Sequence, residues 1–376
     1  MKAQITLLRK VGAARPYTKS RPLEIVEADL EAPSSGQLLV KIAAAGLCHS
    51  DLSVINGDRP RETPLALGHE ASGVVQAVGP DVTRFAVGDH VVMVFIASCG
   101  HCVPCAEGRP ALCEPGAVAG ANGTLLNGDV KISVEGAHIG HHMGVSAFSS
   151  HAVMSENSCV KIDKSIPLDR AALLGCAVLT GAGAVLNSGG LKVGQSCAIV
   201  GLGGVGLAGL LGAVAAGAGT IVAADINESK REMALDLGAT HTIDPRDDDA
   251  VKTVKGWTNG GVDVAVDLAG AVPALQFAYD ITRRGGTTVT AGLPNPDAKL
   301  SFPAVSLTTE ERTLKGSYVG SCVPIRDIPR FAHLMQQGKF PVEKLMTHRL
   351  NISEINEGFE RLANGEAIRQ VIVFDM

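Results

Sequence analysis

The pattern of hydrophobic and polar positions divides the chain into two unlike parts. Up to about residue 178, short apolar runs such as 38–42 and 73–78 alternate with loops that contain Gly-Asp, Pro-Gly and Asn-Gly pairs. Many short strands joined by irregular loops are typical of a β-rich, barrel-like domain. The first part of the chain is therefore predicted to be mostly β structure.

The second part alternates strand-length apolar runs with helical stretches. Runs at 196–200, 220–224, 262–267 and 287–291 predict strands, and a segment between two of them, 227–237, predicts a helix. This alternation predicts βαβ units and a parallel sheet. The amphipathic stretch 328–337 and the last strand, 370–374, are too short for a domain of their own and are expected to pack on the first part.

Composition narrows the possible classes of protein. The chain has 376 residues, of which 46% are hydrophobic and 19% charged, which is globular and long enough for about two domains. A net charge of −5 and only 3% aromatic residues argue against nucleic-acid binding. No apolar run reaches the roughly 18 residues of a membrane span, and the N-terminal pattern is not that of a secretory signal. A cytoplasmic location without membrane partners is expected.

A glycine-rich motif follows the strand predicted at 196–200. The sequence Gly-Leu-Gly-Gly-Val-Gly at 201–206 fits G-x-G-x-x-G, and Asp225 ends the next predicted strand. Such glycines let the backbone approach a pyrophosphate at a helix N-terminus, and the acid accepts hydrogen bonds from a ribose. Because Asp225 would repel a 2′-phosphate, NAD is predicted over NADP. Lys230 is expected to reach the same ribose.

Four of the nine cysteines lie close together, at Cys99, Cys102, Cys105 and Cys113. Four thiolates suit a closed, tetrahedral zinc site of the structural kind. In a cytoplasmic protein such a cluster favours metal over disulfides. An iron–sulfur cluster is the alternative, although the spacing before Cys113 fits it poorly.

Three more candidate ligands stand apart, Cys48 in CHSD, His69 in GHEASG and Cys176 after Leu-Gly. With these strings, the cysteine cluster, the glycine motif and the tail segments 356–359 and 368–369, the chain resembles the zinc-dependent medium-chain alcohol dehydrogenases over nearly its full length. Residues 117–138 resemble the extra loop of the animal-type, class III-like branch. The resemblance implies an α/β fold with a GroES-like catalytic domain (1–178 and 319–376) and a doubly wound, NAD-binding Rossmann domain (179–318).

The resemblance also implies roles for individual residues. Two zinc ions are implied per chain, a structural one on the four clustered cysteines and a catalytic one on Cys48, His69 and Cys176. Ser50 would take the alcohol proton and Asp51 would orient His69. Glu70 would lie behind the zinc, either as a transient ligand or as an acid paired with Arg369. The implied cofactor contacts are His49, Thr180, Gly201, Gly203, Gly204, Val205, Gly206, Asp225, Lys230, Gly292 and Arg369. The implied substrate pocket comprises Phe95, His142, Met143, Leu293 and Tyr318.

The implied reaction is hydride transfer between NAD and a small primary alcohol or its aldehyde, with aromatic or medium-chain alcohols expected. One departure is Ser53, which stands where many relatives end the proton relay with a histidine, since a serine is no base near neutral pH. The sister class, glutathione-dependent formaldehyde dehydrogenase, is the alternative. That class has a basic residue where this chain has Ala117, and a threonine in place of Ser50.

Two further classes of protein are disfavoured by the sequence, and the resemblance also implies an oligomeric state. A zinc-ribbon-like binding protein is disfavoured because the cysteine lobe is not basic. A zinc-free quinone reductase of the same superfamily would lack the three separate ligands. The resemblance implies a homodimer or a homotetramer, for which the strand-like run 302–307 and the segment after Glu311 are the candidate edge.

Overall fold

The computed structural model describes residues 1–375, which form two compact units. One unit comprises residues 1–176, 323–336 and 342–375, and the other comprises residues 177–322 and 337–341. Within residues 1–375, no single helix is both long and apolar enough to cross a bilayer. One bent pair of shorter segments, 168–175 and 177–188, meets the length and composition requirement only when the two are taken together.

The secondary structure contains short strands throughout and short to medium helices. The strands are β1 (Lys2–Leu8), β2 (Leu23–Leu30), β3 (Gln37–Gly46), β4 (Leu65–Ala66), β5 (Ala71–Val78), β6 (His90–Met93), β7 (Ile132–Val134), β8 (Ala137–His141), β9 (His151–Ser155), β10 (Cys159–Ile162), β11 (Ser196–Val200), β12 (Thr220–Ala224), β13 (His241–Ile243), β14 (Val262–Asp267), β15 (Thr282–Thr290), β16 (Thr313–Gly316), β17 (Met346–Leu350) and β18 (Arg369–Val373). The helices are α1 (Tyr17–Ser20), α2 (His49–Ile55), α3 (Val103–Ala106), α4 (Glu114–Ala121), α5 (Leu168–Ala171), α6 (Ala177–Gly183), α7 (Gly204–Ala215), α8 (Glu228–Asp236), α9 (Ala250–Trp257), α10 (Val272–Ile281), α11 (Val305–Thr309), α12 (Pro324–Gln336) and α13 (Ile355–Asn364).

The first unit is built from two β layers. Strands β1, β2, β7, β8 and β4 close into a small barrel, and a second sheet has the order β10-β6-β5-β3-β18-β17, with β9 also paired to β3. Leu38, Val40 and Ile42 alternate along β3 and are fully buried, as expected for the core face of a strand. The C-terminal strand β18 pairs antiparallel with β3, so the end of the chain completes this sheet.

The second unit is a doubly wound parallel sheet. Its strand order is β13-β12-β11-β14-β15-β16, and every neighbouring pair is parallel. The chain runs outward from β11 to β13 and then outward from β14 on the other side, so the topology switches between β11 and β14. Ligands of such sheets bind at the carboxyl ends of the strands beside this switch. The predicted fold class, a Rossmann sheet with a β-rich GroES-like part, is confirmed.

Two sequence predictions differ from the structure in the second unit. The strand predicted at 287–291 belongs to a longer strand, β15, that begins at Thr282. The strand-like run 302–307 is not a strand, because residues 302–304 are irregular and α11 begins at Val305. Pro303 explains this outcome: it cannot donate to a sheet ladder, but its carbonyl accepts the Ser306 N–H at the start of the helix. The edge strand here is instead β16, which follows Glu311.

Candidate active site

Three buried donors from distant parts of the first unit meet in one cluster. Cys48 stands between β3 and α2, His69 precedes β5, and Cys176 follows a short helical turn after α5. One donor atom from each lies within 4.8 Å of the others, and no side chain is more than 6% exposed. Two thiols and an imidazole converging in this way form a donor set suited to zinc.

The backbone before His69 fixes where that imidazole lies. Gly68 has a φ of +97°, and a Cβ there would come within 2.4 Å of the Phe148 backbone nitrogen. Only glycine fits this left-handed, crowded position. The sequence Gly-His at 68–69 therefore follows from packing as well as from chemistry.

Asp51 sets the orientation and the tautomer of His69. Its Oδ1 lies 3.2 Å from His69 Nδ1 and also accepts the Gly68 N–H at 3.2 Å. A carboxylate at Nδ1 holds the proton on that nitrogen and leaves the lone pair on Nε2. Among the described residues His69 Nε2 has no hydrogen-bond partner although it is buried. A buried ring nitrogen without a hydrogen-bond partner, beside two thiols, fits a metal ligand.

The ionisable side chains of this cluster shift one another's pKa values. Burial lowers the pKa of the His69 imidazole, but the Asp51 carboxylate and Cys48 outweigh it and raise the pKa well above its usual value. A hydrogen bond from Cys176 lowers the pKa of the Cys48 thiol, and the same contact together with burial raises the pKa of Cys176. One thiolate is thus already favoured here, and a cation would favour the second.

Glu70 and Arg369 form a buried ion pair beside this cluster. Arg369 Nη1 lies 3.2 Å from Glu70 Oε2, and the two side chains are 5% and 0% exposed. Burial lowers the pKa of Arg369, but Glu70 and the neighbouring thiols raise it overall. The contact corresponds to the paired-acid interpretation of Glu70. The transient ligation of zinc by Glu70, and the cofactor contact predicted for Arg369, stay predictions.

The four-cysteine lobe is a second and different donor cluster. The Sγ atoms of Cys99, Cys102, Cys105 and Cys113 lie within 4.8 Å of one another, and three of these residues are partly exposed. Backbone N–H groups donate to the sulfurs, from Cys102 to Cys99 at 3.3 Å and from Cys99 to Cys113 at 3.2 Å. Burial opposes ionisation of Cys99, yet backbone N–H groups lower its pKa to about 7. Burial raises the pKa of Cys105 to about 12, so ionising all four thiols requires a cation.

The glycine motif of the second unit forms a cradle at the end of β11. The turn leads into α7, and the N-cap residue of this helix, Gly203, has no side chain that could cap the first N–H groups. A Cβ on Gly203 would meet nothing within 4 Å, whereas one on Gly206 would lie 1.8 Å from the Gly201 carbonyl oxygen. Asp225 follows β12, and its Oδ2 accepts the Leu202 N–H at 2.7 Å. The structure thus brings the acid against the glycine turn, as a dinucleotide site requires.

Comparisons with known proteins agree on one family. Residues 34–164 match the alcohol dehydrogenase GroES-like domain, and residues 204–337 match the zinc-binding dehydrogenase domain. Geraniol dehydrogenase of Castellaniella defragrans is 39% identical, over 99% of this chain and 98% of its own. S-(hydroxymethyl)glutathione dehydrogenase of Paracoccus denitrificans is 34% identical, over 97% and 100%. The crystal structure of benzyl alcohol dehydrogenase from Acinetobacter calcoaceticus superposes over the whole of both chains, with a TM-score of 0.93 and 33% identity.

The chain belongs to the zinc-dependent medium-chain alcohol dehydrogenase family. The predicted enzyme class, an oxidoreductase that interconverts alcohols and aldehydes, is thereby confirmed. Membership also supports zinc and a nicotinamide as its cofactors and a small molecule as its substrate.

The positions predicted for a proton relay lie on α2. Ser50 is half-buried in the first turn, next to Asp51, and His49 is exposed at the helix start. The Ser53 hydroxyl donates to the Ser50 carbonyl oxygen at 2.8 Å. The side chain that replaces the usual histidine is therefore bonded within the helix.

The predicted substrate-pocket residues are divided between the two units. The rings of Phe95 and His69 contact edge to face, with centroids 5.3 Å apart, and Phe95 lines a small cavity with Met143. Leu293 and Tyr318 belong to the other unit, where they are 56% and 47% exposed. Their part in a pocket, like that of Thr180, Lys230 and Gly292 in cofactor binding, stays a prediction.

His142 makes a contact that the sequence did not predict. It is buried, its Nδ1 lies 3.0 Å from Asp51 Oδ1, and its ring meets that of His69 edge to face with centroids 5.6 Å apart. Asp51 therefore lies between two imidazoles. The adjacent His141 points elsewhere, since its Nε2 accepts the Lys131 N–H at 3.0 Å. The resemblance singles out His142 for the substrate pocket, but nothing in the sequence indicates its contact with Asp51.

Proposed function

We propose that this alcohol dehydrogenase uses NAD to oxidise a primary alcohol whose carbinol carbon is attached to an aromatic ring or a double bond, and that it catalyses the reverse reduction. The observation that carries the proposal is the cluster of Cys48, His69 and Cys176 with Asp51 behind the imidazole. Three protein donors would leave one coordination position for the substrate oxygen, as in other catalytic zinc sites, of which the Cys₂His site of alcohol dehydrogenases is itself a known example.

The cofactors would supply the chemistry and the chain would hold it in place. Bound zinc would act as a Lewis acid on the substrate oxygen, and bound NAD would accept the hydride. Asp51 keeps the His69 proton on Nδ1, so that Nε2 stays available to the metal. Burial of all three donors keeps bulk water from the cluster. Ser50 would take the alcohol proton, and because Ser53 is bonded to the Ser50 carbonyl, that proton would leave through water.

The cofactor proposal extends to the coenzyme and to the number of metals. Asp225 beside the glycine turn supports NAD rather than NADP. The four-cysteine lobe supports a second, structural zinc, so two zinc ions would bind per chain. We also propose that residues 1–178 and 319–376 form the catalytic domain and residues 179–318 the NAD-binding domain. The cofactor contacts are proposed to be those predicted from the sequence.

The substrate class rests on the relatives and on Phe95. Geraniol and benzyl alcohol, which give two relatives their names, are both primary alcohols with an unsaturated carbon next to the carbinol. Phe95 places an aromatic ring against His69, where it would contact such a group. We further propose the long-loop branch, because α4 and the loop after it follow the last cysteine of the lobe. We also propose that the protein is a homo-oligomer in which the edge strand β16 contacts another copy of the chain. Its proposed location is the cytoplasm.

The glutathione-dependent reaction is the second candidate. It is favoured by the 34% identity to the Paracoccus denitrificans enzyme. Against it, Ala117 on α4 offers no charge to a glutathione carboxylate, and Ser50 replaces the threonine expected of that class.

A panel of substrates with NAD tests the proposal. Benzyl alcohol and geraniol should generate NADH without glutathione, and formaldehyde with glutathione should give much less. Turnover only in the presence of glutathione would establish the second candidate instead. Silence across the panel in protein that contains zinc would contradict the proposed function.

A further inference from the structure

Two arginine side chains donate hydrogen bonds to the backbone of the loop 225–226, which is proposed to hold the adenosine ribose. Arg231 Nη1 donates to the Asp225 carbonyl oxygen at 2.7 Å, and Arg246 Nη2 donates to the Ile226 carbonyl oxygen at 3.3 Å. An arginine near this loop is what NADP-binding proteins use to hold the 2′-phosphate. Arginines that were free to bind a phosphate here would favour NADP over NAD. A preference for NAD therefore requires that other groups in the structure bind these two side chains.

A single carboxylate, Asp244 at the end of β13, engages both arginines. The Arg246 side chain donates two hydrogen bonds to it, Nε to Oδ1 at 3.0 Å and Nη2 to Oδ2 at 2.6 Å, and the Arg246 backbone N–H donates a third to Oδ1 at 3.0 Å. Arg231 Nη1 lies 3.5 Å from the same Oδ2. The Asp244 side chain is 14% exposed and that of Arg231 is 19% exposed, while Arg246 is 66% exposed. The two-point contact fixes the plane of the Arg246 guanidinium as well as its charge.

We propose that Asp244 is a positioning residue for coenzyme selectivity, which holds Arg231 and Arg246 on the backbone of the 225–226 loop and withholds them from a 2′-phosphate. The inference rests on the proposed function, since it takes the coenzyme to be a nicotinamide dinucleotide. Asp225 acts directly, because its own charge repels the phosphate. Asp244 acts through the arginines, because a guanidinium bonded to a carboxylate and a carbonyl has fewer donors left for a phosphate.

A purely structural role for Asp244 predicts something different. Ion pairs with an exposed partner contribute little to the free energy of unfolding, and their loss would leave the relative affinity for two coenzymes unchanged. The ratio of NADPH affinity to NADH affinity therefore distinguishes positioning from stabilisation. Asp248, an exposed carboxylate in the turn before α9, provides a control with the same change of charge.

The experiment measures NADH and NADPH dissociation constants by fluorescence titration of the purified zinc-loaded protein. In D244N, NADPH should bind about tenfold more tightly relative to NADH, which corresponds to one newly available charge-assisted hydrogen bond. D248N should leave the ratio unchanged. In a chain carrying R231Q and R246Q, adding D244N should not change the ratio, because no guanidinium is left to be released.

The outcomes separate the inference from the function on which it rests. If the unsubstituted protein binds NADH and D244N shifts the ratio no more than D248N, the inference is overturned and the function stands. A shift that persists without the two arginines also overturns it. Unsubstituted protein that binds neither coenzyme contradicts the proposed function and the inference together. A folded D244N, checked by its melting temperature, with the expected arginine-dependent shift supports the inference.

Discussion

The four-cysteine lobe takes all its donors from one short loop, 99–113, whereas the other cluster brings together Cys48, His69 and Cys176 from three distant parts of the chain. In the lobe, backbone N–H groups of the loop itself and of the start of α4 donate to the sulfurs. In the three-donor cluster, the folded sheet supplies the surroundings. A donor set that one loop can form alone suits a metal that stabilises that loop. A buried set of only three donors suits a metal that also receives a substrate.

The two clusters also differ in the burial and charge of their surroundings. The three-donor cluster is backed by the buried carboxylates of Asp51 and Glu70, each paired with a cationic or imidazole partner. The lobe is partly exposed, and all four of its donors are thiols. The comparison therefore predicts that damage to the two clusters has different consequences, chemical for one and structural for the other.

The largest expected effect is the loss of one ligand from each cluster. C176S should reduce kcat by more than about a thousandfold, because the polarisation that a catalytic metal supplies is worth several kcal/mol, while the melting temperature changes little. C102S should instead lower the melting temperature. Turnover of benzyl alcohol and thermal unfolding measure the two effects. C159A, at a buried cysteine outside both clusters, is the control, and equal effects of C176S and C102S on turnover would contradict the comparison.

A smaller effect is expected from D51N, which keeps the shape of the side chain but removes its charge. Loss of the carboxylate behind a metal-bound imidazole typically costs about 10- to 100-fold in metal affinity or activity. Zinc release to a chelator should become faster at the three-donor cluster alone, with the lobe as an internal control. If both zinc ions leave at the unsubstituted rate, Asp51 does not orient His69 in the way proposed.

The same carboxylate predicts an acid dependence. Burial raises the pKa of Asp51, but His69 and His142 outweigh it and lower the pKa below the usual value of 3.8. A carboxyl group whose pKa is lowered by folding stabilises the fold fully above its unfolded pKa, and this contribution is lost as pH falls through the folded one. Apo protein should therefore lose stability below about pH 4 more steeply than apo D51N. Parallel unfolding curves would show that Asp51 is not ionised in the fold.

The smallest effect is expected from S53H, which adds a titratable base on α2, the helix that follows Cys48, and leaves the lobe unchanged. The serine hydroxyl donates to the Ser50 carbonyl and is not a base at neutral pH. An imidazole there should raise the rate on the acidic side of the pH profile by at most about 100-fold, the lower end of what a general base contributes. An unchanged profile would indicate that water already carries the proton without limiting the rate.

The two clusters also differ in how far the sequence could predict them. The lobe follows from spacing alone, because its donors are neighbours in the chain. The three-donor cluster followed only from resemblance, because its closeness depends on how β3, β5 and the turn after α5 pack. The sequence contains no signal for the contact between Asp51 and His142, because the neighbouring His141 is the same residue type and its ring points elsewhere. The run 302–307 looked like a strand because its apolar residues suit one, and Pro303 decided otherwise.

The most direct test of the two-cluster account is the zinc content of the purified protein, measured together with its turnover of benzyl alcohol and NAD. The account predicts two zinc ions per chain in the unsubstituted protein and one in C176S, which should keep its fold and lose turnover. Active protein with fewer than two zinc ions per chain, or C176S that retains both zinc ions and full turnover, would contradict it.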